Sequence, residues 1–184
     1  MKAPQPIPYQ GSKRALAPLI LNYFPDNVSR LIEPFAGSAA VSVAAAMRNK
    51  IERFLINDIN SALIDLFREI VENPNDISSK YEKLWNQQLG IEKEFFVQIR
   101  EKFNISHRPD HFLYVLARCI KGAIRYNTKG EFNQSADNRR KGKSPKNMAQ
   151  EIAQVSQYLK GKSEFFSIDY FEVFKMATEE DLIY

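Results

Sequence analysis

Two short apolar segments, separated by a turn of small residues and an alanine-rich segment, constrain the fold more than any other feature of this chain. The first predicted strand includes Leu31-Ile32, and the second, within RFLINDIN, ends at Asp58-Ile59-Asn60. The small residues after the first strand lead into a helix in which alanine dominates. A strand, a crossover helix and a second strand are the opening of an open sheet with helices packed on its faces. The fold class is therefore predicted to be α/β.

The remaining segments either continue this sheet or form a separate helical region. Residues 61–73 have helical periodicity with Ser61 as the expected N-cap, and residues 15–24 predict an earlier helix with Pro18 in its first turn. From 74 to 123 the pattern is helical and polar, without a strand signal. We predict a core from residues 1–73 and 150–184, with a third strand from Ser163 and a fourth from Asp181, and a helical region over residues 74–149.

Composition and charge indicate a folded protein and leave the kind of partner open. The 184 residues are 44% hydrophobic, enough for one substantial core, and the net charge of +4 allows a polyanionic partner without requiring one. The single cysteine, Cys119, excludes an internal disulfide, and its apolar surroundings are typical of a buried thiol. No apolar run approaches membrane-spanning length, and the N-terminus lacks the apolar core of a signal peptide. We therefore expect a cytoplasmic protein without a membrane partner.

The two histidines do not predict a metal site. His107 and His111 are four residues apart, a spacing that binds metal when both lie on one continuous helix. Pro109 interrupts that helix, and Asp110 is the only further candidate ligand nearby. We therefore predict two separate histidines in a polar connection and no bound metal.

The turn after the first strand and the acid after the second strand predict a cofactor site. Residues 33–40 read EPFAGSAA, and small residues before a helix N-terminus let a ligand approach free backbone N–H groups. In nucleotide-binding folds, a carboxylate at the end of the second strand accepts hydrogen bonds from the ribose hydroxyls, and Asp58 stands at that position here. The alternative is a tight turn in which Asp58 caps the next helix. Only Gly37 is a glycine, which disfavours a dinucleotide, while the order and spacing favour a cofactor that contains adenosine.

A basic, asparagine-rich segment over residues 125–146 predicts contact with nucleic acid. Lysine and arginine bind phosphates, and asparagine, glutamine and arginine read base edges in the major groove. Thr128-Lys129-Gly130-Glu131 has the composition of a turn, so we predict a hairpin. The alternative for Arg139 to Lys146 is a solvated loop with no ligand.

Four strings place these motifs in an order that resembles the Dam-like (D12 class) DNA adenine N6-methyltransferases. They are PIPYQGSKR, IEPFAGSAAV, INDIN and RYNTKGEFN, and together they extend over most of the chain. The resemblance implies S-adenosyl-L-methionine as cofactor and double-stranded DNA as substrate. It also implies a Rossmann-like methyltransferase sheet, of which strands 1–4 form the N-terminal half, with a helical target-recognition insert.

The resemblance also assigns residues to the two ligands. Without it, Lys13 would be a solvated lysine, Tyr9 an ordinary aromatic residue, and Asp169 a helix cap. Two departures from the family pattern stand out: Ala39 where a second glycine is usual, and QSADNRRKGK in place of V-P-x-G after GEFN. The expected cofactor-binding residues are Tyr9, Lys13, Glu33, Phe35, Gly37, Asp58, Asp169 and Tyr170, and the expected DNA-binding residues are Arg125, Asn127, Lys129, Asn133, Arg139 and Arg140.

The catalytic tetrapeptide of the family, D-P-P-Y or N-P-P-Y, does not occur in the 184 residues. Asp181-Leu182-Ile183-Tyr184 lies where the strand that leads into this motif begins. We therefore expect no catalytic residue in this chain, and a second polypeptide that completes the sheet and carries the motif. Two alternatives remain at this point, a non-catalytic DNA- and cofactor-binding module and a fragment of a full-length enzyme.

Overall fold

The protein is described by a computed structural model over residues 2–184, in which one parallel sheet is surrounded by helices. The strands are β1 (Arg30–Glu33), β2 (Arg53–Asn57), β3 (Ser163–Phe166) and β4 (Asp181–Ile183). The α-helices are α1 (Ala17–Ile20), α2 (Ala40–Met47), α3 (Ser61–Glu72), α4 (Pro74–Gln87), α5 (Glu92–Ser106), α6 (Pro109–Arg118), α7 (Pro145–Leu159) and α8 (Tyr170–Lys175).

The sheet has the strand order β3-β2-β1-β4, and all three pairings are parallel. The predictions of an α/β fold and of third and fourth strands from Ser163 and Asp181 are therefore confirmed. An ion pair reinforces the β1–β4 pairing, because Nη2 of Arg30 lies 2.7 Å from Oδ2 of Asp181 in the same register pair. Because the strands are parallel, the carboxyl ends of β1 and β2 meet at one edge of the sheet, where ligands bind in folds of this kind.

The two faces of the sheet are covered unequally. Leu31, Phe54 and Ile56 belong to the main core, which α2, α3 and α7 share. Ile32 and Leu55 point to the other face, where Val173 of α8 completes a small second cluster. Alternation along β1 and β2 explains this division, since successive side chains of a strand point to opposite faces.

The helical region shares the main core with the sheet. Phe103 of α5 stacks on Phe112 of α6 with ring centroids 4.5 Å apart, and both rings meet the edge of Phe132. Phe132 belongs to the segment predicted as a hairpin, so these helices hold that segment in place. The proposed boundary between residues 74–149 and the rest of the chain stays a prediction, because one buried cluster extends across it.

Three sequence predictions need local correction. The second strand ends at Asn57 rather than at Asn60, because the Asp58 carboxylate accepts a hydrogen bond from the Asn60 N–H and turns the chain. The N-cap of α3 is Asn60 and not Ser61, since Oδ1 of Asn60 accepts from the Leu63 N–H. The helix predicted over residues 15–24 is α1 flanked by the 3-10 turns Lys13–Ala15 and Leu21–Tyr23, and Pro18 lies in its first turn as expected.

Within residues 2–184, none of the helices combines the length and the apolar character that crossing a membrane requires. Over the same residues, no three histidine, cysteine, aspartate or glutamate side chains come together as a possible metal site. His107 ends α5 in a left-handed conformation and His111 lies on α6, so the two rings belong to different helices. Cys119 is buried, as its apolar surroundings predict.

Candidate functional site

A cavity of about 210 Å³ opens at the carboxyl ends of β1 and β4, where Glu33 and Tyr184 line it. We call it the turn cavity, because the turn between β1 and α2 forms one of its walls and residues 9–13 form another. Tyr9 packs so closely on this turn that a Cβ atom at Gly37 would lie 2.8 Å from Cε1 of the tyrosine ring. Gly37 also has a φ of +52°, which glycine adopts without strain. The turn therefore requires glycine for two independent reasons.

Asp58 lies beside the turn cavity, and two backbone N–H groups fix its carboxylate. Oδ2 accepts from Gly37 N at 3.0 Å, and Oδ1 accepts from Asn60 N at 3.0 Å. The acid is thus attached both to the glycine turn and to the start of α3. Each oxygen retains a lone pair for a further donor. The N-cap of α3 is Asn60, but Asp58 accepts from the N–H of that residue, so the structural role considered for Asp58 is present in part.

Glu33 forms the buried wall of the turn cavity and is 3% exposed. Its Oε1 accepts from Ser42 N of α2 at 2.7 Å. Burial raises the pKa of Glu33 to about 7, and the hydrogen bonds from Ser42 oppose this rise only in part. Glu33 is therefore a carboxyl group whose charge changes near neutral pH.

Two aromatic rings extend the site beyond the turn cavity. Phe35 is 69% exposed, and its ring centroid lies 5.2 Å from that of Tyr170. The exposed ring of Phe35 offers a surface on which a flat ligand stacks, and the Tyr170 ring beside it is partly buried. Asp169 precedes Tyr170 and caps α8, because its Oδ1 accepts from Phe171 N at 2.8 Å. The helix cap considered for Asp169 is therefore present, and the carboxylate is exposed.

Lys13 and Tyr9, which the resemblance assigns to the cofactor, both line the turn cavity. Lys13 is exposed, and its Nζ donates to the Gly11 carbonyl at 3.1 Å. Burial, followed by the negative charge of Asp58, raises the pKa of the Tyr9 phenol. Sequence reasoning missed Ser12, whose Oγ lies 3.0 Å from Oγ of Ser38 and joins the N-terminal loop to the turn.

Ala39 adopts the left-handed conformation that the usual glycine would adopt. Its φ is +47°, and it immediately precedes α2. A residue with a Cβ in this region costs about 1–2 kcal/mol relative to the right-handed conformation. The substitution therefore keeps the shape of the turn at the expense of backbone strain.

Arg125 to Asn133 form the hairpin predicted from the sequence, through an antiparallel bridge between Tyr126 and Phe132. The Asn127 side chain holds its tip, because Oδ1 accepts from Lys129 N at 2.9 Å and from Glu131 N at 3.0 Å. The amide of Asn127 is therefore occupied within the turn. Arg125, Lys129 and Asn133 are exposed, and within residues 2–184 their side chains form neither an ion pair nor a hydrogen bond.

Arg139 and Arg140 lie outside the hairpin, in residues 137–143, which we call the strap. Both guanidinium groups bind the buried Asp137 carboxylate, with Nε distances of 2.9 Å each. Their hydrogen bonds, with that of Arg139 the largest contribution, hold the pKa of Asp137 well below its usual range. Buried polar side chains fix the strap, since Tyr81 donates to the Lys143 carbonyl at 2.7 Å and Gln88 to the Lys141 carbonyl at 2.9 Å. The strap is therefore a fixed segment rather than a freely solvated loop.

Gly122 is a structural contact that sequence reasoning missed. It has a φ of +60°, and a Cβ atom there would lie 2.7 Å from the Pro8 carbonyl carbon and oxygen. Its own carbonyl accepts from Gln10 N at 3.1 Å. This contact joins the base of the hairpin to the loop that carries Tyr9. The available signal was a lone glycine within the apolar segment CIKGA.

A profile of the family described as D12 class N6 adenine-specific DNA methyltransferase matches residues 9–184. The chain belongs to this family. The match begins at Tyr9 and includes the turn cavity, Asp58, the hairpin and the strap. The resemblance drawn from four short strings is therefore confirmed over almost the whole chain.

Several curated relatives support the membership of the D12 class. The Type II methyltransferase M1.LlaDCHI of Lactococcus lactis subsp. cremoris is 29% identical over 186 residues, covering 96% of this chain and 62% of the relative. The DNA adenine methylase of Vibrio cholerae is 29% identical over 180 residues, covering 96% and 61%. The DNA N-6-adenine-methyltransferase of Escherichia phage P1 is 30% identical over 184 residues, covering 96% and 22%. The chain thus spans about three fifths of the first two D12 relatives and a smaller part of the third.

Proposed function

We propose that this D12 chain supplies the cofactor pocket and the DNA-reading hairpin of an enzyme that methylates adenine N6 in duplex DNA. The observation that carries the proposal is the Asp58 carboxylate, which backbone N–H groups of Gly37 and Asn60 hold beside the turn cavity. Family membership supports the reaction class. The pocket supports S-adenosyl-L-methionine, which supplies the methyl group when it is bound.

The residues around the turn cavity fit the three chemical parts of that cofactor. Asp58 keeps a free lone pair on each oxygen, which suits the two ribose hydroxyls. Phe35 offers an exposed ring for the adenine, and the partly buried ring of Tyr170 lies against it. Glu33, when ionised, attracts the ammonium group of the methionine part. Gly37 allows Tyr9 to pack closely on the turn, and Lys13 is among the residues that line the cavity.

The hairpin is the proposed reader of the DNA sequence. Arg125 and Lys129 carry exposed charges without an intramolecular partner in residues 2–184, so they are available to phosphates or base edges. Asn133 has an exposed amide that suits adenine. Asn127 has a different role in this proposal: it keeps the turn in shape for its neighbours.

The strap is the proposed second contact with the DNA backbone. Arg139 and Arg140 each use Nε and a second nitrogen on Asp137, which leaves other N–H groups directed to solvent. A guanidinium that is already fixed loses little side-chain entropy when it binds a phosphate. The strap lies in the segment that replaces the V-P-x-G stretch of the family.

Methylation of adenine N6 also requires the D-P-P-Y type of loop, which is not among the 184 residues. An adenine in duplex DNA must leave the helix before its amino group meets the methyl donor. We propose that a second polypeptide brings this loop and packs against β4 and α8. Exposed Phe171 and Phe174 on α8 support a protein contact at that side, and no strand within residues 2–184 pairs with the outer edge of β4. A continuation of the same chain is the alternative source of the loop.

The cofactor part of the proposal is tested by the affinity for S-adenosylhomocysteine in isothermal titration calorimetry. Asp58→Ala removes a charged acceptor, and we expect affinity to fall by about tenfold or more. The matched control is Asp65→Ala, which removes an exposed acid of α3 that pairs with Arg68. Equal affinity of the Asp58→Ala variant and the parent would sink the assignment of the ribose-binding acid.

The catalytic part is tested by transfer of a labelled methyl group to duplex DNA. We expect no transfer by the 184-residue chain alone, and transfer once a polypeptide with the D-P-P-Y loop is added. Transfer by the chain alone would refute the proposed location of the loop. Native mass spectrometry separates the two sources, because a stable complex supports a second polypeptide and a stable monomer contradicts it.

A further inference from the structure

Asn60 connects two parts of the molecule that the proposed function treats separately. Its backbone N–H donates to Oδ1 of Asp58 at 3.0 Å, and its side-chain oxygen caps α3. Its remaining amide group, Nδ2, donates to the Tyr126 hydroxyl of the hairpin at 3.1 Å. One residue therefore contacts the proposed ribose-binding acid and the proposed DNA reader at the same time.

Tyr126 is held at this position from its other side. Its ring meets the edge of Phe132 with centroids 6.0 Å apart, and its backbone forms the antiparallel bridge to the same residue. Asn104 of α5 donates to the Phe132 carbonyl and accepts from the Phe132 N–H. The hairpin is thus anchored on the helical region, while the Tyr126 hydroxyl contacts Asn60 at the start of α3.

These contacts form a continuous hydrogen-bonded chain from the hairpin to the glycine turn. It passes from the Tyr126 hydroxyl through Asn60 to the Asp58 carboxylate, whose second oxygen accepts from Gly37 N. A second connection runs from Gly122, at the hairpin base, to Gln10 in the loop that carries Tyr9. A displacement of the hairpin therefore affects both walls of the turn cavity.

We propose that Asn60 and Tyr126 are positioning residues through which the hairpin sets the orientation of Asp58, so that duplex DNA and the cofactor bind with positive cooperativity. The inference rests on the proposed function, since it requires that both ligands bind this chain. DNA that fixes the hairpin in its present position also fixes Asn60, and the cofactor then meets an acid that is already oriented. Linkage makes the effect reciprocal, so the cofactor tightens DNA binding by the same factor.

The test measures S-adenosylhomocysteine affinity with and without saturating duplex DNA. The sample is the assembled protein, which is this chain together with the polypeptide that carries the D-P-P-Y loop. The ratio of the two dissociation constants is the coupling factor. Loss of one hydrogen bond corresponds to a change of roughly twofold to tenfold in an equilibrium constant. We therefore expect a coupling factor of about three to ten in the parent and below about two in Tyr126→Phe, which keeps the ring and removes the hydroxyl.

A second variant separates coupling from folding. Asn60→Ser retains an N-cap side chain for α3 but is too short to reach Tyr126, so we expect the same loss of coupling with little loss of thermal stability. The double variant is expected to lose no more coupling than either single variant, because both interrupt one path. Tyr23→Phe is the matched control, since its hydroxyl is on an 81% exposed residue next to α1.

The outcomes distinguish this inference from the function on which it rests. If the parent binds each ligand but DNA leaves the cofactor affinity unchanged, the coupling is wrong and the proposed function stands. If Tyr126→Phe keeps the coupling factor of the parent, the path through Asn60 is wrong. If the assembled protein binds neither ligand, the proposed function fails and this inference fails with it.

Discussion

Glu33 is the residue whose chemistry depends most on its surroundings. In the sequence it is one acid among 22 acidic residues, and only the fold makes it a buried group beside a ligand cavity. Its folded pKa of about 7 exceeds the ordinary value of 4.5. Between these pH values the native state keeps a proton that the unfolded chain has lost. The contribution of Glu33 to stability is therefore present at low pH and is lost as the pH rises through this window.

Ligand binding has the opposite pH dependence at this residue. An ammonium group beside Glu33 favours the ionised carboxylate, so we expect S-adenosylhomocysteine affinity to rise as the pH increases from 6 to 8. Glu33→Gln removes the titrating group, and the variant is expected to bind more weakly with a flatter pH profile. Calorimetric titrations across this range check the prediction. A parent profile that is flat from pH 6 to 8 would contradict the role given to Glu33.

Individual residues were predictable from the sequence where their roles are local. Gly37 follows from the position of a turn between a strand and a helix, and Asp58 from the end of the next strand. The strain at Ala39 was only partly predictable, since the family pattern marks the position but its φ of +47° comes from the fold. The engagement of Asn127 within its own turn was missed, because asparagine in a basic segment also suits base recognition.

Where two segments approach each other closely, only a residue without a side chain fits between them. At Gly122 the base of the hairpin contacts the backbone of Pro8 with no room for a Cβ atom. Gly90, between α4 and α5, has a similar φ of +88° but open space around it. An alanine at either position suffers backbone strain, but only an alanine at Gly122 would also clash with a neighbour. Comparing the two variants therefore separates the effect of strain on stability from the effect of the clash.

Gly122→Ala is expected to destabilise the protein by about 1–3 kcal/mol more than Gly90→Ala, because overpacking adds to the strain that both variants share. It should also weaken S-adenosylhomocysteine binding, since it moves the loop that carries Tyr9. Denaturant unfolding and calorimetry measure the two effects. If Gly122→Ala and Gly90→Ala lose the same stability and the same S-adenosylhomocysteine affinity, the hairpin base does not position the loop that carries Tyr9.

The order of elements was predictable because hydrophobic periodicity and turn residues are local signals. Both the parallel sheet and the helices between β2 and β3 follow from them. The Asn60–Tyr126 contact was not predictable, since it joins residues 66 positions apart whose side chains have no distinctive pattern. The N-cap of α3 was predicted at Ser61 instead of Asn60 for a different reason, because both residue types are common N-caps and the two positions are adjacent.

At the scale of the whole molecule, the strap and the hairpin give the chain two separate basic regions. The basic residues of the strap are partly neutralised, because Asp137 binds Arg139 and Arg140, and Glu92 lies 2.8 Å from Lys141. The net charge of +4 therefore does not show that the hairpin carries unpaired positive charges while those of the strap are partly paired. The contribution of the strap to DNA affinity should then depend on whether Arg139 and Arg140 bind phosphates while they are also paired with Asp137.

The double variant Arg139→Gln/Arg140→Gln tests the strap by the salt dependence of DNA binding. Each phosphate contact contributes about 0.9 to the slope of log affinity against log salt concentration. If both arginines bind phosphates, the slope should decrease by about two and affinity should fall equally for all DNA sequences. Fluorescence anisotropy measures both. The control Arg48→Gln/Lys50→Gln removes two charges after α2, and a parent-like slope in the strap variant would contradict the prediction.

The pairing of β1 with β4 has a consequence for how the chain is made. The Arg30–Asp181 ion pair joins residues 151 positions apart, while β1 is already present when the first fifth of the chain has left the ribosome. Until Asp181 emerges, that edge of β1 has no neighbour and exposes unpaired backbone groups. The helices between β2 and β3 rely on nearer contacts and form earlier on this view. During that interval, the arginine at the start of β1 carries an unpaired charge that discourages association with the exposed edge of another chain.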